Sequence, residues 1–129
     1  MSTIDVANIT DGTDTVATGY VINGSSKSWV NFNGTGTAAI RDSMNVSSLT
    51  DNGTGDYAIL FTNSFANTNY AAVGSAHDAG ASWSANPNMG VSGTSRVQGS
   101  CPFLNANVIN GGQASDTSIA DATYHGDLS

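Results

Sequence analysis

Glutamate is absent from this chain, so acid–base chemistry would fall to ten aspartates and two histidines. His77-Asp78 is the adjacent pair with the residue types of a hydrolytic triad. Neighbours on a strand point to opposite faces, and a triad is defined by geometry, so the pair reads as part of a polar loop. His125, near the C-terminus, reads as a surface or interface residue. The stretch Asp51-Asn52-Gly53-Thr54-Gly55-Asp56 has the oxygen content of a calcium loop. It lacks the Asp-x-Asp-x-Asp-Gly spacing and the bidentate Glu, and a hairpin turn capped by Asp and Asn accounts for it. Cys101 is the sole cysteine, so it cannot form an intrachain disulfide. Set before Pro102 and Phe103, it reads as a buried free thiol. There is no Gly-x-Ser-x-Gly elbow, His-Glu-x-x-His helix or phosphate loop. The expectation is a protein that is not an enzyme, with no cofactor and no metal.

Binding is the other chemistry to weigh. Trp29, Phe32, Tyr57, Phe61, Phe65 and Tyr70 cluster in one half of the chain. A sugar-binding protein would expose such rings, but a domain poor in aliphatics needs them as core, and core or interface is the reading taken. Trp83 and Met89, in a stretch rich in Gly, Ser, Asn and Ala, are the candidate surface contacts. Ile4, Val6 and Ile9 alternate in an otherwise polar N-terminal stretch and are the candidates for an attachment arm. Net charge is −7, with three scattered basic residues. Phosphate neutralisation needs clustered Lys and Arg, so no nucleic-acid partner is expected. Asn8, Asn23, Asn33, Asn45 and Asn52 begin Asn-x-Ser/Thr triplets. Such matches arise by chance in this composition, and they carry no weight without a signal peptide. Met1-Ser2-Thr3-Ile4-Asp5 has neither a basic region nor an apolar stretch, so none is expected.

The elements that would position these residues are short strands. Leu, Glu, Lys, Arg, Met and Gln together number only 12 of 129 residues, which makes a helical protein untenable. No apolar run approaches the ~20 residues of a membrane span. Asn-Gly turns stand at Asn23, Asn33, Asn52 and Asn110. Strand character lies at 19–23, 28–33, 37–44, 46–51, 56–62, 69–76, 101–104, 107–109 and 118–124. Tyr57, Ile59 and Phe61 alternate with Ala58 and Leu60, so the strand at 56–62 is apolar on both faces. Residues 33–37 and 52–56 are near-identical pentapeptides and read as two similar hairpin turns. Residues 77–100 read as a long irregular loop with a short strand inside it. This pattern predicts an all-β fold, an antiparallel β-sandwich of jelly-roll type. It divides into an N-terminal arm, 1–17, and a single sandwich domain, 18–129.

Composition adds a demand for partners. Ser, Thr, Asn and Gly make up 60 of 129 residues, while Leu, Ile, Val and Phe make up 24. So thin an aliphatic core is little for a free monomer, and burial between subunits is a physical remedy.

Three runs carry a resemblance: Ser28-Trp29-Val30-Asn31-Phe32-Asn33-Gly34-Thr35-Gly36-Thr37, Ala39-Ile40-Arg41-Asp42-Ser43, and 45–57 from Asn45-Val46 to Asp56-Tyr57. With Phe61-Thr62-Asn63-Ser64-Phe65 and the closing Gly126-Asp127-Leu128, they resemble a β-rich module of tailed-bacteriophage virion proteins. These are tail-fibre and short virion surface proteins of marine and cyanobacterial phages. The strongest similarity spans about residues 27–73. It implies a non-enzymatic, β-rich, homotrimeric component of the virion surface, assembled in the host cytoplasm. A capsid decoration protein or short head fibre is the leading expectation. A tail-fibre tip that binds a host-surface receptor or glycan is the alternative, with a carbohydrate-binding module and a depolymerase as further classes. Expected partners are further copies of the chain and capsid or tail proteins, with no membrane.

Overall fold

A computed structural model describes residues 3–78, 84–89, 96–107 and 113–129, with 84–89 and 106–107 described by backbone alone. Among the described residues the chain is mostly β, with antiparallel pairing throughout and one short helix. Strands β1 (Asn8–Thr10) and β2 (Thr15–Ala17) form a separate hairpin, followed by α1 (Thr18–Gly24). The body then runs through β3 (Ser28–Asn33), β4 (Ala39–Met44), β5 (Val46–Gly53), β6 (Asp56–Phe61) and β7 (Ala71–His77). It continues with β8 (Ser84–Met89), β9 (Ser100–Asn107), β10 (Gln113–Ala114) and β11 (Ile119–His125). Among the described residues the hydrogen-bonded order is β4-β3-β11-β7-β8-β9-β6-β5, with β10 beside β9.

Alternation explains the core. β3 buries Ser28, Val30 and Phe32; β6 buries Tyr57, Ile59 and Phe61; β11 buries Ala120, Ala122 and Tyr124. Their inward faces meet across the interior in edge-on aromatic contacts. Phe32 lies 5.1 Å from Tyr57 and 5.2 Å from Phe103 between ring centroids, and Phe61 lies 5.0 Å from both Phe65 and Tyr124. Such contacts add to area burial, so a few rings replace the missing aliphatics. Ala58 and Leu60 are half-buried on the other side of β6, in keeping with an apolar strand on both faces.

The turns follow their residue types. The paired pentapeptides connect β3 to β4 and β5 to β6, and the equivalent Gly36 and Gly55 both sit in the left-handed region, at φ 65° and 68°. Asn45, at φ 57°, is the single residue between β4 and β5. Its Oδ1 accepts from the Asn63 backbone N–H at 2.7 Å, and its Nδ2 donates to the Asn63 carbonyl at 3.1 Å. Asn tolerates this backbone better than most residues and here satisfies a neighbouring chain as well.

One expectation changes. Residues 19–23 are not a strand but the centre of α1. A strand must find a neighbour for its N–H and C=O groups, whereas a helical turn bonds to itself, and among the described residues no strand pairs with this segment. The β-propensity of Val21 and Ile22 is a weaker influence than that lack of a neighbour. Within 77–100 the expected short strand is present. His77 completes β7, and Ser84–Met89 is a strand that pairs β7 on one side and β9 on the other. In the 107–109 stretch, Asn107 ends β9; 108 and 109 lie outside the described residues, as does the Asn110-Gly111 turn.

Candidate assembly surface

The N-terminal hairpin turns at Asp11-Gly12-Thr13-Asp14. Asp11 Oδ1 accepts from the backbone N–H of Thr13 at 3.0 Å and of Asp14 at 2.8 Å. The Asp14 and Thr13 backbone donors hold the Asp11 carboxyl below its usual value. Gly12 takes φ 102°, which the turn requires. The register sets Ile9 opposite Val16. Thr18 then ties the helix back to the strand side: its N–H donates to the Ala7 carbonyl at 2.9 Å and its hydroxyl to the Val6 carbonyl at 3.0 Å.

Among the described residues, nothing buries this segment. No residue of α1 is buried, and its N-cap, Ala17, offers no side-chain acceptor. At the other end, Ser25 N–H donates to the Val21 carbonyl at 3.2 Å, and Lys27 Nζ reaches the Ile22 carbonyl. A seven-residue helix and a lone two-stranded hairpin are each marginal in water. Ile4, Val6, Ile9, Val16, Tyr20, Val21 and Ile22 are exposed, seven of the eleven exposed large apolar side chains among the described residues. Ile4 is 87% exposed, Tyr20 77% and Ile22 60%. The arm residues Ile4, Val6 and Ile9 thus belong to a larger set of exposed apolar side chains that includes α1. Tyr20, Val21 and Ile22 carry no sequence signal that sets them with the arm, because their run of apolar residues mimics a strand.

The segment joins the body at Ser26 and Lys27. Lys27 N–H donates to the Tyr124 carbonyl at 2.9 Å, and the Ser26 hydroxyl lies 2.8 Å from the Thr123 hydroxyl. The junction is therefore fixed to β11, at the edge of the aromatic interior.

The other candidate residues fall in separate places. Phe32, Tyr57, Phe61 and Tyr70 are core. Trp29 is not core; it is half-buried on the outward face of β3, because Ser28, Val30 and Phe32 take the inward positions. Trp83 lies outside the described residues, and Met89 ends β8 opposite Phe103. Cys101 is fully buried, and burial raises its thiol pKa. Asp78 Oδ1 accepts from the Ser118 N–H at 2.7 Å, while His77 lies in β7 opposite Ile119. His125 Nε2 is 3.4 Å from the Thr123 hydroxyl. Asp51 Oδ1 accepts from the Gly53 N–H at 3.0 Å within the β5–β6 turn. Among the described residues, no three His, Cys, Asp or Glu side chains come together as a metal site. One polar cluster had no counterpart in the sequence reading. Tyr57 Oη donates to Asp116 Oδ1 at 2.7 Å, with the Gly34 carbonyl 2.8 Å away, and Gly55 N–H reaches the same carboxylate oxygen at 2.7 Å. Burial first, then the Asp116 hydrogen bond, push the Tyr57 phenol far up. Its parts lie in three distant stretches of chain, so only folding assembles it. Comparison of the chain with protein-family models, curated proteins and solved structures finds no match.

Proposed function

We propose that this chain is a non-enzymatic structural protein whose N-terminal hairpin and helix are its assembly element. The observation that carries the reading is the bare apolar surface of residues 3–24, joined to a well-packed body. Fully burying a Val, Leu, Ile or Phe side chain contributes roughly 1.5–3 kcal/mol. Six such groups, with Tyr20 beside them, left in water are a strong drive to associate, even after the entropy of association is counted. The body is read as a β-sandwich, supported by the contacts of β3 and β11 side chains with those of β6 and β9. The assembly is read as a homotrimer on the surface of a tailed-phage virion, a capsid decoration or short fibre protein bound to other virion proteins. The resemblance of residues 27–73 to that module supports the placement.

Light scattering tests the assembly. The chain should run at three times its 13.1 kDa mass, and Ile9→Asp with Ile22→Asp should return it to the monomer mass with the fold intact. A folded wild-type monomer, or a trimer that ignores both substitutions, would overturn the reading. Imaging of particles tests the placement: three-fold density on the capsid lattice is expected, and density confined to the tail excludes decoration.

A further inference from the structure

We propose that the outward face of β3, β11 and β7 is a binding groove for a neutral saccharide, with Trp29 as stacking platform and Asp121 as polar anchor. The groove encloses about 310 Å³. The register sets its shape. Trp29 on β3 and Val73 on β7 flank Thr123 of β11 in one row, and Asn31 and Ser75 flank Asp121 in the next. With neighbouring strands about 4.8 Å apart, the walls stand roughly 10 Å from each other, wide enough for one sugar ring lying along β11. Trp29 is half-buried and Val73 is 63% exposed, so the apolar walls are open to a ligand.

The polar floor is already held in place. Asn31 Nδ2 donates to Asp121 Oδ1 at 2.5 Å, and the Ser75 hydroxyl approaches Asp121 Oδ2 at 3.4 Å. All three residues stand on paired strands, so a ligand meets an arrangement that needs no ordering. A second groove of about 260 Å³, lined by Asn31, Arg41, Ser118 and Ile119, lies beyond Asn31 on the same face. The Asn31–Asp121 pair stands between the two, which suits a linear oligosaccharide running along the strands.

The chemistry selects this class of ligand. A sugar ring has an apolar C–H face for the indole and hydroxyls that both donate to a carboxylate and accept from an amide. An anion would meet the Asp121 carboxylate in a chain of net charge −7. A quaternary ammonium asks for an aromatic cage, and here there is one ring. A peptide strand has no edge to add to, because β11 is paired on both sides.

The test uses the full chain with Trp83→Phe, which leaves Trp29 as the only tryptophan. The probes are neutral di- to hexasaccharides of glucose, galactose, mannose and N-acetylglucosamine. A saturable blue shift of Trp29 emission is expected with at least one of them. Calorimetry on the otherwise native chain should then show at least a tenfold loss of affinity in Trp29→Ala and in Asp121→Ala. Trp29→Phe should recover part of it, and thermal melts should confirm that each variant is folded. No saturable response to any probe overturns the proposal, as does undiminished affinity in folded Trp29→Ala. A fall in oligomer mass in Trp29→Ala would also overturn it, because a second copy would then occupy the groove.

Discussion

Phe32 and Tyr20 are both aromatic residues set near β-branched neighbours, yet Phe32 is fully buried and Tyr20 is 77% exposed. The difference lies in what surrounds them. Phe32 stands on a strand with paired neighbours on both sides, so its inward face meets rings from β6 and β9. Tyr20 stands on a short helix of which no residue is buried by the described residues. The body meets its own need for burial with few side chains by choosing large ones. The N-terminal segment also carries large apolar side chains, and among the described residues none of them is buried. A polar composition can therefore support a packed domain, but only where the topology gathers its few large rings.

Substitutions can set these regions against each other. The largest expected effect is Phe32→Ala, a loss of about 3–5 kcal/mol in urea unfolding, against less than about 0.5 kcal/mol for Tyr20→Ala in the dilute monomer. Equal losses would erase the distinction.

Glycines give the next contrast. A Cβ at Gly55, φ 68°, would lie 2.4 Å from the Asn105 carbonyl oxygen and 2.7 Å from the Ser115 nitrogen, all of it backbone. Gly55→Ala should cost about 2–3 kcal/mol, from overpacking and backbone strain together. At Gly12, φ 102°, nothing lies within 4 Å. Gly12→Ala should therefore cost about 1 kcal/mol, confined to the hairpin and visible as faster amide exchange there.

Tyr57→Phe should cost about 1–2 kcal/mol, since the hydroxyl bridges Asp116 and the Gly34 carbonyl. Thermal unfolding at neutral pH measures it.

Alkaline pH extends the contrast to the phenols. Burial, more than any other cause, raises the pKa values of Tyr57, Tyr70 and Tyr124 well above the ordinary phenol. The folded state then keeps protons that the unfolded state sheds above about pH 10. This stability is fully present below about pH 10 and declines as pH rises beyond it. Phenolate absorbance from these three should grow in step with loss of β signal. Ionisation of all three before unfolding would contradict their burial. The smallest effect is expected from deleting residues 1–24, which should leave the body's monomeric stability within about 0.5 kcal/mol while abolishing association.

Some of this was legible in advance. The bounds of β3, 28–33, follow directly from alternation ending in Asn-Gly, because both signals are local. The turn at Asp51–Asp56 is likewise an affair of adjacent residues, with Asp51 capping the Gly53 N–H. α1 was not legible, since Tyr20-Val21-Ile22 satisfies a strand pattern and only the lack of a neighbour strand decides otherwise. Trp29 stands close to the core rings in sequence, but its parity is opposite to that of Phe32, which places it on the outward face of β3. The pairing of Asn31 with Asp121 joins residues far apart in the chain and leaves no local trace.

The amino-acid sequence by itself determined that the chain would be strand-rich and sparsely charged, with tight turns at its Asn-Gly steps. Those properties depend on side-chain type and on spacings of one to four residues. Tertiary structure alone decided that β11 would lie between β3 and β7, so that Trp29, Asp121 and Val73 line one groove. It also decided that, among the described residues, the arm and α1 would stay unburied. Strand partners are chosen across the whole chain, by which faces can be buried together, and that choice exists only once the chain has folded.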